Sequence, residues 1–153
     1  MLITLIFSCL LIAWFNAYFE PAGADGRTIP NTGAIYVKGL EIYGGDITSA
    51  AGNVTVDWGE LFLGTSKNAS FYVKSNSNIN VTLGLNVTNW KPTGIEKYLT
   101  VSWDYDGTLL NSTQTIFVTL NLRVPSSQDF IDFLIEKSVT AFGFDMTIYA
   151  SGE

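Results

Sequence analysis

The sequence predicts a mainly β protein, an antiparallel two-sheet sandwich of about seven strands preceded by a hydrophobic N-terminal helix. Three observations point there. Beyond residue 33, apolar and polar residues alternate with period two almost to the end, the pattern of half-buried strands. Gly, Asn, Asp and Ser clusters interrupt the alternation at short intervals, as turns do. Residues 2–19 carry no charge and only three polar side chains, Thr4, Ser8 and Asn16. The predicted organisation is a hydrophobic helix at 1–19, a linker at 20–32 and one sandwich domain at 33–153. A length of 153 residues suits a single well-formed core and is short for two.

The leader comes first. As a helix, its 18 residues reach about 27 Å, against a hydrocarbon core of about 30 Å. Three fates are compatible with it. A cleaved signal peptide would use Ala22-Gly23-Ala24 as its small-x-small site, although no Lys or Arg precedes the apolar run. A retained anchor would place Trp14, Tyr18 and Phe19 at the membrane interface. A filament helix would leave the membrane and pack against copies of itself. Ile6-Phe7-Ser8-Cys9 matches a lipidation motif only loosely, and Cys9 reads as a small apolar helix residue.

Glu20 to Thr32 holds two prolines, two glycines and no periodicity, hence a linker. The first strand runs from Ala34 to Tyr43 and shifts phase: Ile35 and Val37 are odd, Leu40 and Ile42 even. Gly39 sits at the change, where a bulge would carry the strand from one sheet to the other. Five further runs each put one apolar set on one face, at Val54–Trp58, Phe71–Val73, Val81–Val87, Leu99–Tyr105 and Ile116–Val124. The last is Phe142, Phe144, Met146 and Ile148. Seven short strands with turns between them suggest an immunoglobulin-like sandwich, with Trp58 and Trp103 as central core fillers. The run Ile116–Leu120 is apolar on both faces and should therefore be central or covered. One segment, 126–138, has helical spacing at Phe130, Phe133, Leu134 and Lys137. A short amphipathic helix near 127–138 is expected there, opened by a capping box of Ser126 and Asp129 and closing one end of the sandwich.

Composition excludes several chemistries. Eight Lys+Arg against 14 Asp+Glu leave no basic cluster for phosphate neutralisation, so nucleic acid is not an expected partner. The chain has no histidine, which removes Ser-His-Asp and Cys-His catalysis. Its one cysteine is Cys9, so the predicted domain has no disulfide and no thiol nucleophile. No pair of carboxylates stands out as acid and base. The expectation is a protein that is not an enzyme and takes no cofactor.

Three kinds of residue are candidates for function. Five N-x-[ST] sequons occur, at Asn53, Asn68, Asn80, Asn86 and Asn111, each a glycosylation candidate in a suitable host. Asp104 and Asp106 offer oxygens to a calcium ion, although Asp106-Gly107 reads first as a turn, and Asp57-Trp58-Gly59-Glu60 as a strand end and turn. Tyr72, Phe117 and Tyr149 alternate outward. If strands bring them together, they form an interface for assembly or ligand binding.

Over Val37 to Val124, the order VDWG-x-L, FYVK with a Ser/Asn-rich turn, VTL-x-L-x-V-x-NW-x-P and LTVSW-x-Y-x-G resembles a set of uncharacterised archaeal surface proteins with a hydrophobic N-terminal segment and an Ig-like domain. That resemblance implies the fold and an extracellular location, and it brings no catalytic residues. The architecture is also similar to archaeal pilin and archaellin subunits. It departs from them in its short helix and in lacking a processing site of basic residue plus glycine.

The expected function is that of a non-enzymatic structural or adhesion protein at the cell surface, tethered to the membrane through residues 2–19. One alternative is self-assembly as a filament subunit, either pilus-like or as a donor-strand fibre in which Ala34–Tyr43 completes a neighbour's sheet. The other is an adhesin module that binds a surface glycan or protein through the outward aromatics.

Overall fold

Gly39 divides the first strand between two sheets. Its φ of +71° is left-handed, which glycine adopts without penalty, and it turns the chain out of one layer into the other. The computed structural model describes residues 31–50 and 53–152. The expected hydrophobic helix at 1–19, Cys9 and the linker up to residue 30 lie outside the described residues.

Before Gly39 runs β1 (Asn31–Lys38), and after it β2 (Leu40–Tyr43). Then come β3 (Ile47–Ala50), β4 (Asn53–Asp57), β5 (Ser66–Ser75), β6 (Val81–Lys91), β7 (Thr100–Trp103), β8 (Thr115–Arg123) and β9 (Phe142–Gly152). One α-helix, α1 (Gln128–Glu136), joins β8 to β9. The five-stranded sheet has the order β3-β4-β1-β9-β6 and the four-stranded sheet β2-β5-β8-β7. Neighbours pair antiparallel with one exception, β1 and β9, which run parallel from Asn31–Phe142 to Lys38–Tyr149.

The nine strands among the described residues exceed the expected seven for two reasons. Gly39 makes two strands of one, and β3 was not anticipated, because Ile47-Thr48-Ser49-Ala50 holds too little apolar surface to signal a strand. β3 forms instead by hairpin pairing with β4. β1 begins at Asn31, inside the segment read as linker.

The alternation places the core as expected. Val54, Val56, Phe71, Val73, Leu83, Val118, Leu120, Leu122, Phe144, Met146 and Ile148 are buried between the sheets. Each such side chain contributes on the order of 1.5–3 kcal/mol relative to exposure. Trp58 is 3 % exposed and fills the core against Phe144, with ring centroids 6.4 Å apart. Trp103 does not take the central position expected of it. β7 is an edge strand, so Trp103 sits half-buried at the rim, its ring 5.2 Å from that of Tyr105. β5 pairs with the whole of the apolar run Ile116–Leu120, whereas on the other edge β7 reaches only Leu120 and Asp104 bonds the Thr119 backbone, so the run is covered along one edge and in part along the other.

α1 closes one end of the sandwich. Phe130 and Leu134 are buried, and the Tyr98 ring lies 5.3 Å from Phe130 and 5.2 Å from Phe133. The cap differs from the expected box. Ser127, one residue later than Ser126, is the N-cap; no side chain caps the helix, and the Ser127 carbonyl accepts from the Phe130 and Ile131 N–H groups. Asp129 therefore falls in the first turn, where its charge favours the helix dipole rather than closing a box. No helix among the described residues is long and apolar enough to cross a membrane.

Candidate contact face on the four-stranded sheet

Because inward residues alternate with outward ones, the outer face of the four-stranded sheet is set by register. β2 pairs Tyr43 with Tyr72 of β5, and β5 pairs Tyr72 with Phe117 of β8. Three aromatic side chains therefore stand side by side across three strands. The Tyr43 and Tyr72 rings are stacked at 5.6 Å, and the Tyr72 and Phe117 rings meet at 4.9 Å with a 57° tilt. They remain 41 %, 42 % and 54 % exposed, so the row is held by its own rings yet open to a partner. Gly44, left-handed at φ +67°, follows Tyr43, and a Cβ there would crowd the Tyr72 ring at 3.2 Å.

The rest of the face is polar. Asn121 Nδ2 donates to Asn68 Oδ1 at 2.7 Å, and the Ser70 and Thr119 hydroxyls lie 3.1 Å apart. On the other side of the row, Lys74 Nζ pairs with Glu41 Oε2 at 3.6 Å. An exposed pair of this kind adds little stability. It does balance the charge of the two ionic side chains on that side of the row.

Of the aromatics expected to meet, Tyr72 and Phe117 do so. Tyr149 lies on β9 in the other sheet, where its ring covers Gly84 of β6, the residue directly opposite in register. A Cβ at Gly84 would collide with that ring, so Tyr149 completes a glycine gap in the sheet. Tyr43 was not singled out in the sequence. The available signal was the buried pair Leu40 and Ile42, whose alternation turns Tyr43 outward.

Phe117 also walls a pocket of about 290 Å³ shared with Asp104, Asp106 and Gln114. The two carboxylates line one pocket, but each is already engaged, Asp104 by β8 and Asp106 by its own loop. Asp104 Oδ1 accepts the Thr119 N–H at 2.8 Å. Asp106 Oδ1 accepts from the Thr108 hydroxyl at 2.6 Å and the Thr108 N–H at 2.9 Å. Those two bonds, the hydroxyl first, hold the Asp106 carboxyl below the usual aspartate range. Among the described residues no group of three or more Asp, Glu, His or Cys is placed to hold a metal ion. Two carboxylates fall well short of the six to eight oxygens that calcium takes.

Four of the sequons fall on separate, exposed parts of the surface. Asn68 lies on the contact face itself. Asn80 is exposed just before β6, Asn86 is exposed on β6, and Asn111 is exposed in the loop before β8. Asn53 opens β4, opposite Ala50. β6 is an edge strand of its sheet, so Asn86 stands beside an open edge.

In comparisons with known proteins, no family model and no curated protein matches this chain. The reading of function therefore rests on the residues themselves. Three packed, part-exposed rings on a largely polar face suit contact with a surface that presents apolar patches among hydrogen-bonding groups.

Proposed function

We propose that this protein is a non-enzymatic cell-surface module: an Ig-like sandwich held at the membrane through residues 2–19, with the outer face of its four-stranded sheet as the contact surface. The row Tyr43–Tyr72–Phe117 carries this reading. Aromatic side chains are enriched where proteins meet partners, because they bury large area for few frozen torsions. The apolar leader and the likeness to archaeal surface proteins support the extracellular location. The switch of the first strand between sheets supports the Ig-like description.

The test has two arms. On intact cells producing the full chain, added protease is expected to remove the domain while the leader stays with the membrane. On a glycan array and a panel of surface proteins, the full chain is expected to bind through the row, and Tyr72→Ala or Phe117→Ala to weaken binding about tenfold. Recovery of the protein from the soluble fraction of broken cells, or the absence of any array or panel binding that these substitutions weaken, overturns the proposal.

A specific observation favours a second reading, the filament subunit. β1 lies between β4 and β9 and joins the following strand only through Gly39. A strand so placed is suited to donation, since its departure would leave a slot that a neighbour's β1 fits. Boiling a surface fraction in detergent distinguishes the two: a polymer ladder supports the filament, and monomer alone counts against it.

A further inference from the structure

A distortion in β6 marks a second place on the molecule. Thr88 pairs with Asp145 and Lys91 with Gly143, so Asn89 and Trp90 together oppose the single residue Phe144. Asn89 takes a φ of +54°, and it is the one non-glycine residue inside a described strand with left-handed backbone. Asparagine tolerates that region better than most residues, but the conformation still costs stability. The bulge brings the Asn89 side chain to β9, where Nδ2 donates to Asp145 Oδ2 at 2.7 Å. Trp90 is half-buried, its ring 4.4 Å from that of Phe144.

Beside this bulge, on the five-stranded sheet, lies a groove of about 740 Å³. Asn89, Trp90, Lys91 and Asp145 line it on one side and Thr32 and Thr55 on the other, with the small residues Ala34 and Gly143 between them. The volume falls within the usual range of small-molecule sites, roughly 300–1,000 Å³.

From this arrangement we infer that the groove binds a neutral saccharide. Its lining carries one carboxylate and one ammonium, so neither an anion nor a cation is favoured overall. The Thr32 hydroxyl both donates and accepts, and the Thr55 hydroxyl, which donates to the Thr48 carbonyl at 3.4 Å, accepts. Asp145 Oδ1 and Asn89 Oδ1 are further acceptors, and Trp90 offers apolar surface. A sugar ring matches this inventory, since its hydroxyls both donate and accept and its C–H faces are apolar. A divalent cation does not, because one carboxylate gives too few hard ligands. The bulge supplies the reason for the distortion: regular pairing would give β6 one residue opposite Phe144 in place of Asn89 and Trp90 together.

The site is independent of the aromatic row, and its test keeps the two apart. The full chain, held in a detergent without sugar headgroups, is titrated calorimetrically with cellotriose, maltotriose, mannotriose and chitotriose. At least one is expected to bind saturably. Asn89→Gly removes the amide while keeping a residue at ease with left-handed backbone, and Asp145→Asn keeps the shape of the side chain. Each is expected to weaken binding about tenfold, the loss of one or two good hydrogen bonds, while Tyr72→Ala leaves it within about twofold. Thermal melts confirm that each variant is folded. No saturable binding of any of the four, or binding unchanged in both groove variants, overturns the inference. Binding lost in Tyr72→Ala and kept in the groove variants assigns the sugar to the row instead and overturns it equally.

Discussion

Asp46 engages Ser70 from two directions: its N–H donates to the Ser70 carbonyl at 2.8 Å, and its carboxylate Oδ2 accepts the Ser70 N–H at 2.9 Å. β2 pairs only with Tyr72 to Ser75, so Ser70 is the next residue of β5 whose backbone would face open solvent. One aspartate thus covers the strand edge where the neighbouring strand ends, a place where sheets otherwise recruit foreign strands. Asp46→Ala is expected to cost about 0.5–1.5 kcal/mol and to increase aggregation on partial unfolding. Gly45→Ala should cost more, at least about 2 kcal/mol, because φ there is +65° and a Cβ would collide with the Ser70 carbonyl. Urea denaturation of both variants checks the order, and a Gly45→Ala protein as stable as the parent would contradict the tight turn.

Neighbours on β8 should separate stability from contact. Leu120 is fully buried and Phe117 is 54 % exposed. Leu120→Ala is expected to destabilise by about 2–5 kcal/mol through the cavity it leaves. Phe117→Ser should stay within about 1 kcal/mol of the parent, losing mainly its ring contact with Tyr72. The two denaturation midpoints decide. Equal losses would mean that Phe117 belongs to the fold rather than to the contact face.

The C-terminus of α1 offers a stabilising substitution. Ser138 N–H donates to the Ile135 carbonyl at 3.1 Å and Val139 N–H to the Leu134 carbonyl at 2.9 Å, a Schellman closure with Ser138 at φ +50°. Glycine is the residue that position favours. Ser138→Gly is expected to raise stability by about 1 kcal/mol, since left-handed backbone costs a side-chain-bearing residue about that much. A rise in melting temperature is the readout, and a fall would speak against the strained cap.

Acid should loosen the loop after β7 in a defined order. The Thr108 bonds lower the folded-state pKa of Asp106, so the carboxylate form stabilises the loop. That contribution is complete above the unfolded value, about pH 4, and disappears as pH falls through the lower folded value. The protection of the Thr108 amide from exchange, relative to an unstructured amide at the same pH and followed by NMR, should fall in that window. In Asp106→Asn, the pH-dependent step should be absent.

Much of the fold is legible in the sequence because each strand carries its own burial pattern. Phe71 and Val73, or Phe142 through Ile148, declare an inward face without reference to anything distant, and the phase shift at Gly39 announces a change of sheet. Features that depend on which strands become neighbours were harder to read. Trp103 reads like a core residue, yet β7 falls on an edge. The alternation turns Tyr43 outward but does not say that Tyr72 will stand beside it. Tyr149 reads like Tyr72 but lies in the other layer. β3 exists only because β4 offers it a partner. The Asn89–Trp90 bulge leaves even less trace, since an inserted residue shows only when the partner strand is counted against it. The contact face was therefore half visible in advance, and the groove not at all.

The parallel pairing of β1 with β9 has a mechanical consequence. A pull delivered through residue 30 enters the fold at Asn31 and runs along the axis of β1. It must slide that strand lengthwise against β9 over the whole register from Asn31–Phe142 to Lys38–Tyr149. In this shear geometry the rungs strain together instead of opening one after another, as they would in a hairpin peeled from its end. The same chain segment that leads toward the hydrophobic leader is thus one whose extraction loads its rungs with β9 all at once.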